Sequence, residues 1–309
     1  MLTPGGFLLP MKYKKNTVTI VEQIALMRER GLIVTDENSV ERYLKFTGYF
    51  RLAGYALPFQ RDYNRDGTHT FLPGVQFSDI LDLYTFDREL RLLVIDAIER
   101  AEVAVKATII QLMSEKLGPH WYLRPDSFIT RFKFEDFLKH VKTDIGHDNS
   151  RRSARQAYIK HYYEKYSDPE LPPSWMVFEV LSLGSVSKIF KNLTRENQKP
   201  IAQIYKLDAS LFASWLHSLS YLRNLAAHHQ RLWNRKYTIK PAVAKKLACD
   251  LKRQDRFYAQ AVVIQVLLKT ISSESNWKHN LSILFSRYSS VDINRMGFPV
   301  DWLSRDLWN

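Results

Sequence analysis

Tyr221-Leu222-Arg223-Asn224-Leu225-Ala226-Ala227-His228-His229 is the stretch from which both the fold and the chemistry are read. Around it, Leu211, Trp215, Leu219, Leu222 and Ala226 recur at spacings of four and three, the rhythm of a helix with one apolar stripe turned to a core. Asp208 precedes the run as a candidate N-cap. At about 100° per residue, His217, Tyr221, Asn224 and His228 share the opposite side, and Arg223 falls at the edge of the stripe. A polar row on a helix is ordinarily a solvated face; this one carries two imidazoles beside an Arg-Asn pair. Spacing alone is weak evidence, because Arg155 and His161 also stand an Arg and a His a few residues apart.

Less common by accident is the whole run: Arg223-Asn224, three residues, His228, then His229 and Arg231-Leu232-Trp233-Asn234-Arg235. It resembles the active-site hexapeptide of the abortive-infection (Abi) proteins of bacterial phage defence, within the HEPN superfamily of ribonucleases. Two other stretches are similar to Abi signatures: Gly48-Tyr49-Phe50-Arg51-Leu52-Ala53-Gly54-Tyr55 and the tail Met296-Gly297-Phe298-Pro299-Val300-Asp301-Trp302. The resemblance therefore reaches across nearly the whole chain. It implies catalytic roles for Arg223, Asn224 and His228, and none for Arg155 or His161. The implied activity is that of a toxin-like endoribonuclease that cuts RNA on phage sensing and halts the host. HEPN ribonucleases pair two motif-bearing domains, and this chain has one motif, so a homodimer is implied.

Metal-free RNA cleavage needs a base for the ribose 2′-hydroxyl, an acid for the departing 5′-oxygen and positive charge for the crowded phosphate. An imidazole with a reference pKa of about 6.5 moves protons in either direction at neutral pH, which suits His228. Arg223 brings a planar fork for two phosphate oxygens and a charge that persists throughout. Asn224 lies one turn before His228, where it can orient the ring or donate to phosphate. The expected products are a 2′,3′-cyclic phosphate and a 5′-hydroxyl end. Arg223 and His228 lie about 140° apart around the axis and roughly 7.5 Å along it, so one helix does not make a tight pair of them. His229, about 600° round from Arg223, points off the Asn224 row and is read as structural. No metal or other cofactor is expected: the paired histidines have no Asp, Glu or Cys at ligand spacing.

Composition narrows the class. The 309 residues are 45% hydrophobic and 25% charged, with Lys plus Arg exceeding Asp plus Glu by 13. Such a balance points to a polyanionic partner, and with no basic amphipathic helix to favour a membrane, nucleic acid leads. Arg231, Arg235, Arg51 and the cluster Arg151, Arg152 and Arg155, continued by Lys160, His161 and Lys165, are candidate RNA contacts. The most apolar run, Ala259 to Leu268, is interrupted by Gln260 and Gln265 and is too short to span a membrane. The start, Met1 to Pro10, has no basic region before its apolar patch, so the expected compartment is the cytoplasm. The single Cys249 precludes an internal disulfide and reads as a small buried hydrophobe.

Along the chain, Thr19 and Glu22 fit a capping box for a first helix that stops at Gly31, and a second is predicted from near Ser39 to Pro58. The aromatics flanking Gly48 and Gly54 are expected mostly to pack, although with Arg51 they have the composition of a base-stacking patch. Arg61 to Gly74 reads as an exposed loop or small hairpin. A spine helix follows from Ser78 to about Lys116, closed by Gly118-Pro119 and punctuated by Arg88, Arg91, Glu99, Arg100 and Glu102. Its carboxylates are either surface ion pairs of little energetic consequence or, for Glu102, a group that orients the Arg or His across the bundle. Two amphipathic segments lie between Phe132 and Tyr166. The strongest linker signal is Asp168-Pro169-Glu170-Leu171-Pro172-Pro173, with Pro172-Pro173 read as an internal turn and not a domain boundary, after which a helix from Ser174 continues past Gly184 toward Phe190. A short helical segment near Ile201 to Tyr205, a helix around Phe257 to Ile271 and another near Leu281 to Tyr288 complete the pattern.

With no candidate sheet, the expected fold is an all-α multi-helix bundle of HEPN type with a long spine helix, one domain over 1–309 with an N-terminal helical part, 1–170, and a motif-bearing part, 171–309. The partners expected are an RNA substrate, a second copy and an RNA or protein antidote, with no membrane. Two readings compete with the ribonuclease: a non-catalytic RNA-binding module in which Arg223 only grips phosphate, and a protein-interaction scaffold with an incidental basic face.

Overall fold

The computed structural model describes residues 16–61, 69–147, 156–272 and 274–309. Twelve α-helices supply its regular structure, and the β pairing among the described residues is confined to isolated bridges. The all-α reading is borne out. The chain forms two compact units, Met1–Thr85 and Phe86–Asn309.

In the first unit, α1 (Ile20–Glu29) opens as its sequence predicts: the Glu22 N–H donates to Thr19 Oγ1 while the Thr19 N–H donates to the Glu22 carboxylate. One helix from Ser39 to Pro58 is not what forms. The chain makes α2 (Glu37–Phe46) and α3 (Tyr49–Ala56), separated at Gly48, whose φ of 85° is left-handed and ends a right-handed helix. Pro58 then sits in a single 3₁₀ turn, Leu57–Phe59. An antiparallel bridge between Gln60 and Phe71 closes the expected loop, whose residues 62–68 lie outside the described ones. Leu52 and Tyr55 are buried as expected, but Phe50 is 94% exposed, so the aromatics of this signature do not all pack.

The spine, α4 (Phe77–Leu117), begins in the first unit and runs on into the second; its 41 residues span about 60 Å at 1.5 Å per residue. Phe86, Leu90, Val94, Ile98, Ala101, Val105, Ile109 and Met113 recur at helical spacing and are buried, and Gly118, at φ 87°, stops the helix.

The second unit continues with α5 (Phe134–Asp144) and α6 (Ala157–Lys165), the two amphipathic segments. The Leu171-Pro172-Pro173 turn is buried and tied down by the Tyr162 hydroxyl, which donates to the Pro169 and Leu171 carbonyls, and by the Tyr122 hydroxyl, which donates to that of Pro172. The helix predicted from Ser174 to Phe190 is two, α7 (Ser174–Val180) and α8 (Leu183–Asn192). Ser182 leaves the helical path and caps the second by accepting from the Ser185 N–H. The next, α9 (Arg195–Ile204), starts earlier than its apolar residues suggested and carries Pro200 inside it, at the cost of one backbone hydrogen bond. Then come α10 (Ala209–Ala227), α11 (Phe257–Ile271) and α12 (Trp277–Arg287).

The helix α10 packs against α8, α9 and α11. Phe212, Trp215, Leu216, Leu219, Leu222 and Leu225 are its large buried apolar side chains, each contributing about 1.5–3 kcal/mol by leaving water; Leu211, counted in the predicted stripe, is only half-buried. The helix α11 is buried on nearly every side from Phe257 to Leu268, which is why its sequence lacks an amphipathic rhythm. Gln260 and Gln265 interrupt its apolar run yet are buried, with Gln260 accepting from the Ser218 hydroxyl and Gln265 donating to the Leu307 carbonyl. No described helix is long and apolar enough to cross a membrane. Cys249 is exposed, contrary to its expected burial: it lies in a run of surface turns in which Leu251 takes the inward place.

Candidate active site

The motif closes α10 and does not sit in its middle. His228 is the C-cap, and His229 follows in the left-handed region at φ 56°. The His229 N–H donates to the Ala226 carbonyl and the Gln230 N–H to that of Leu225, the paired bonds of a helix end usually built on glycine. A backbone turn at His229 thus ends the helix and starts the Arg231–Arg235 segment.

Arg223, Asn224 and His228 are all exposed, and among the described residues no side-chain hydrogen bond or ion pair joins one to another. Arg223 is separated from the other two by direction. It lines a cleft of 610 Å³ whose other walls are α4 and α7, and neither Asn224 nor His228 lines it. Glu99, Glu102, Lys106 and Glu179 line the same cleft, with Trp175 and Val103 as exposed apolar residues of its wall. Glu102 holds Lys106 at 2.8 Å, one turn along the same helix. It is therefore an i,i+4 ion pair, mostly buried and not on the surface, and it lines the same cleft as Arg223 with no hydrogen bond or ion pair to it among the described residues. Three carboxylates against two cations make this an acid-lined approach to the arginine.

The Asn224 side of α10 carries a second group of polar atoms. The Tyr221 phenol accepts from the Thr238 hydroxyl at 3.2 Å, and its ring meets that of Tyr237 edge-on at 6.4 Å. Burial by itself raises the Tyr221 phenol, but hydrogen bonds from Thr238 and Arg235 and the charge of Arg235 outweigh it, so the phenol titrates below the ordinary tyrosine value. Tyr237, fully buried, is pushed the other way, first by burial and then by the charge of Asp87.

Asp87 is the residue that sequence reasoning missed. It is fully buried on α4, pairs with the buried Arg91 one turn on, and accepts from the backbone N–H groups of Leu232 at 3.0 Å and Trp233 at 2.7 Å. That carboxylate fixes the segment after the motif against the spine helix. Arg235 lies within this segment and reaches Tyr221; Arg231, half-buried, lends its carbonyl to the Arg235 guanidinium. An Asp four residues before an Arg on a helix was legible as a pair, but nothing local said that it faced inward.

Arg51 is exposed on α3 in the first unit. Arg151, Arg152 and Arg155 lie outside the described residues. Lys160, His161 and Lys165 are exposed on α6, where Lys160 meets Glu164 at 3.8 Å and Lys165 lies over the Tyr166 ring.

Compared with known proteins, residues 42–234 match the model of the family described as Abi-like protein. The match contains the Gly48 stretch and the whole Arg223–His228 motif and ends at Asn234, so the Met296–Trp302 stretch lies beyond it. No curated protein and no solved structure matches the chain.

Proposed function

Because the chain belongs to the Abi-like protein family, with the role in abortive-infection phage defence that membership suggests, we propose that it acts there as an endoribonuclease of HEPN type that works without a metal. One observation supports this most: an Arg-Asn pair and a His are presented, exposed and free of one another, at the end of a helix whose other face is fully committed to the core. In this reading His228 moves protons between the ribose 2′-hydroxyl, water and the leaving 5′-oxygen, Arg223 holds the phosphate, and Asn224 orients the imidazole or the phosphate. The bond formed is between the 2′-oxygen and phosphorus and the bond broken is to the 5′-oxygen, which leaves a cyclic phosphate and a 5′-hydroxyl.

Arg223 opens on the cleft while Asn224 and His228 do not. A single protomer thus holds its cation and its acid/base group on different sides of α10, and the reaction needs a second copy to bring them together. The same separation favours the competing reading, a non-catalytic RNA-binding module. The two part on His228. Purified His228→Ala and Arg223→Ala proteins are expected to lose RNA cleavage and growth inhibition, and wild-type cleavage to survive EDTA and give cyclic-phosphate ends. His228→Ala protein that cuts RNA at the wild-type rate would falsify the assignment, whereas wild-type protein that binds RNA and never cuts it favours the binding module.

A further inference from the structure

A second cavity, of 370 Å³, opens between α8, α5 and the turn that precedes α5. It lies on the side of α8 away from the motif helix. Phe190 of α8 meets Phe212 of α10 edge-on at 4.9 Å, whereas Lys188, about 200° round the same helix, faces the cavity. The volume falls within the range of small-ligand sites.

The chemistry of the walls is specific. Phe132 and Phe137 are half-buried rings 5.5 Å apart, and Phe132 is itself stacked on Phe128 at 4.8 Å, so the aromatic wall is held by packing behind it. Three exposed cations stand around it, Arg131, Lys133 and Lys188. None of the three makes an ion pair or a side-chain hydrogen bond among the described residues. An apolar ligand has no use for three unpaired cations, and a bare anion has none for an aromatic wall. A nucleotide uses both: its base stacks on the rings and its phosphate is held by the cations. Asp136 and Asp144 also line the cavity and can accept from the amino groups of a base, as can the side-chain oxygen of Asn192, whose amide donates to the Lys188 carbonyl at 2.8 Å.

We propose that this cavity binds one unpaired nucleotide of a single-stranded nucleic acid, with its base on Phe132 and Phe137 and its phosphate on Arg131, Lys133 and Lys188. The site requires none of Arg223, Asn224 and His228, so it stands whether or not the chain cuts RNA.

The experiment is a binding titration on full-length protein carrying His228→Ala, so that cleavage does not intervene. The probes are a fluorescent six-nucleotide RNA of mixed sequence, its DNA counterpart, and AMP and CMP alone, each at low and raised salt. The RNA is expected to bind, with ultraviolet crosslinks to the peptide that carries Phe132 and Phe137. Phe137→Leu, which keeps an apolar filling and removes the stacking face, is expected to weaken binding about tenfold. Lys133→Glu with Lys188→Glu, both at exposed positions, is expected to weaken it at least as much and to flatten its salt dependence. Should Phe137→Leu fail to fold, the charge reversal decides, with its thermal unfolding as the control. DNA bound as tightly as RNA supports the site and broadens its source, while RNA bound more tightly identifies the source. Failure of every probe to bind, mononucleotides bound with both strands excluded, or binding indifferent to the charge reversal overturns the proposal.

Discussion

At Tyr221, a half-buried phenol is set between the Thr238 hydroxyl and the Arg235 guanidinium, and its acidity is shifted by their hydrogen bonds and by charge. The shift is downward, so the folded state favours the phenolate relative to the unfolded chain. The stabilisation it brings is present above the unfolded tyrosine value and is lost as pH falls through the folded one. In a spectroscopic titration of the phenols, the native protein is expected to show a transition at lower pH than free tyrosine that Tyr221→Phe lacks and Arg235→Gln moves upward. An unchanged titration in Tyr221→Phe would mean that the transition is not that of Tyr221, and one unmoved by Arg235→Gln would remove Arg235 from this group. Arg223 and His228 differ from Tyr221 in being exposed and without side-chain partners among the described residues, so replacing either by Ala is expected to shift unfolding by no more than about 0.5 kcal/mol. A lost activity in those variants is then a lost reaction and not a lost fold.

Helices here are ended and joined by single residues with identifiable costs. The segment after α10 depends on Asp87, and Asp87→Ala leaves Arg91 buried without its carboxylate and two backbone N–H groups without an acceptor. Breaking a buried pair in this way is expected to cost about 3–5 kcal/mol, read from the midpoint of urea unfolding. Arg91→Met in the same chain, which withdraws the buried charge, is expected to recover part of that; no recovery would mean that the backbone bonds, not the ion pair, carry the effect. Gly297 makes a similar case in the C-terminal turn. Its φ is 89° and an added Cβ would sit 2.7 Å from Arg256 Cβ, beside a cluster in which Phe298 packs on Tyr258, Phe285 and Trp302. Gly297→Ala combines a left-handed alanine with a steric clash and is expected to lower the melting temperature. Gly48→Ala, at φ 85° with nothing within 4 Å of the added Cβ, pays only the backbone cost and is expected to lower it less.

Taken whole, the chain is basic, and the Arg223 cleft lined by Glu99, Glu102 and Glu179 is a local exception to that excess. If two copies meet about the polar row of α10, each supplies an Arg223 and a His228 to a composite site, and two-fold association is the commonest arrangement for identical chains. Light scattering at working concentration is expected to report a dimer. Mixing inactive Arg223→Ala with inactive His228→Ala protein is expected to restore part of the activity, because a mixed dimer can hold one intact Arg223 and one intact His228 at the same site. Full activity in a strictly monomeric protein would overturn the composite site.

The sequence by itself determined that the chain is helical, that the spine runs to Gly118, that α10 buries the face carrying Trp215, Leu219 and Leu222, and that Arg223, Asn224 and His228 stay outside the core. These follow from short-range rhythm: an apolar residue every three or four positions and a glycine where the backbone must turn left-handed. Helix breaks at Gly48 and Ser182 were run together, because apolar residues on both sides of a one- or two-residue break keep nearly the same period. Only the tertiary structure decided which charges go inside and what a given side chain faces. Asp87 and Arg91 look like any surface pair until Leu232 and Trp233, some 145 residues later, bring their N–H groups to the carboxylate. The cleft that Arg223 lines takes its glutamates from α4 and α7 in the same way. Burial and electrostatic neighbours are set by contacts between distant parts of the chain, and local periodicity carries no information about which parts will meet.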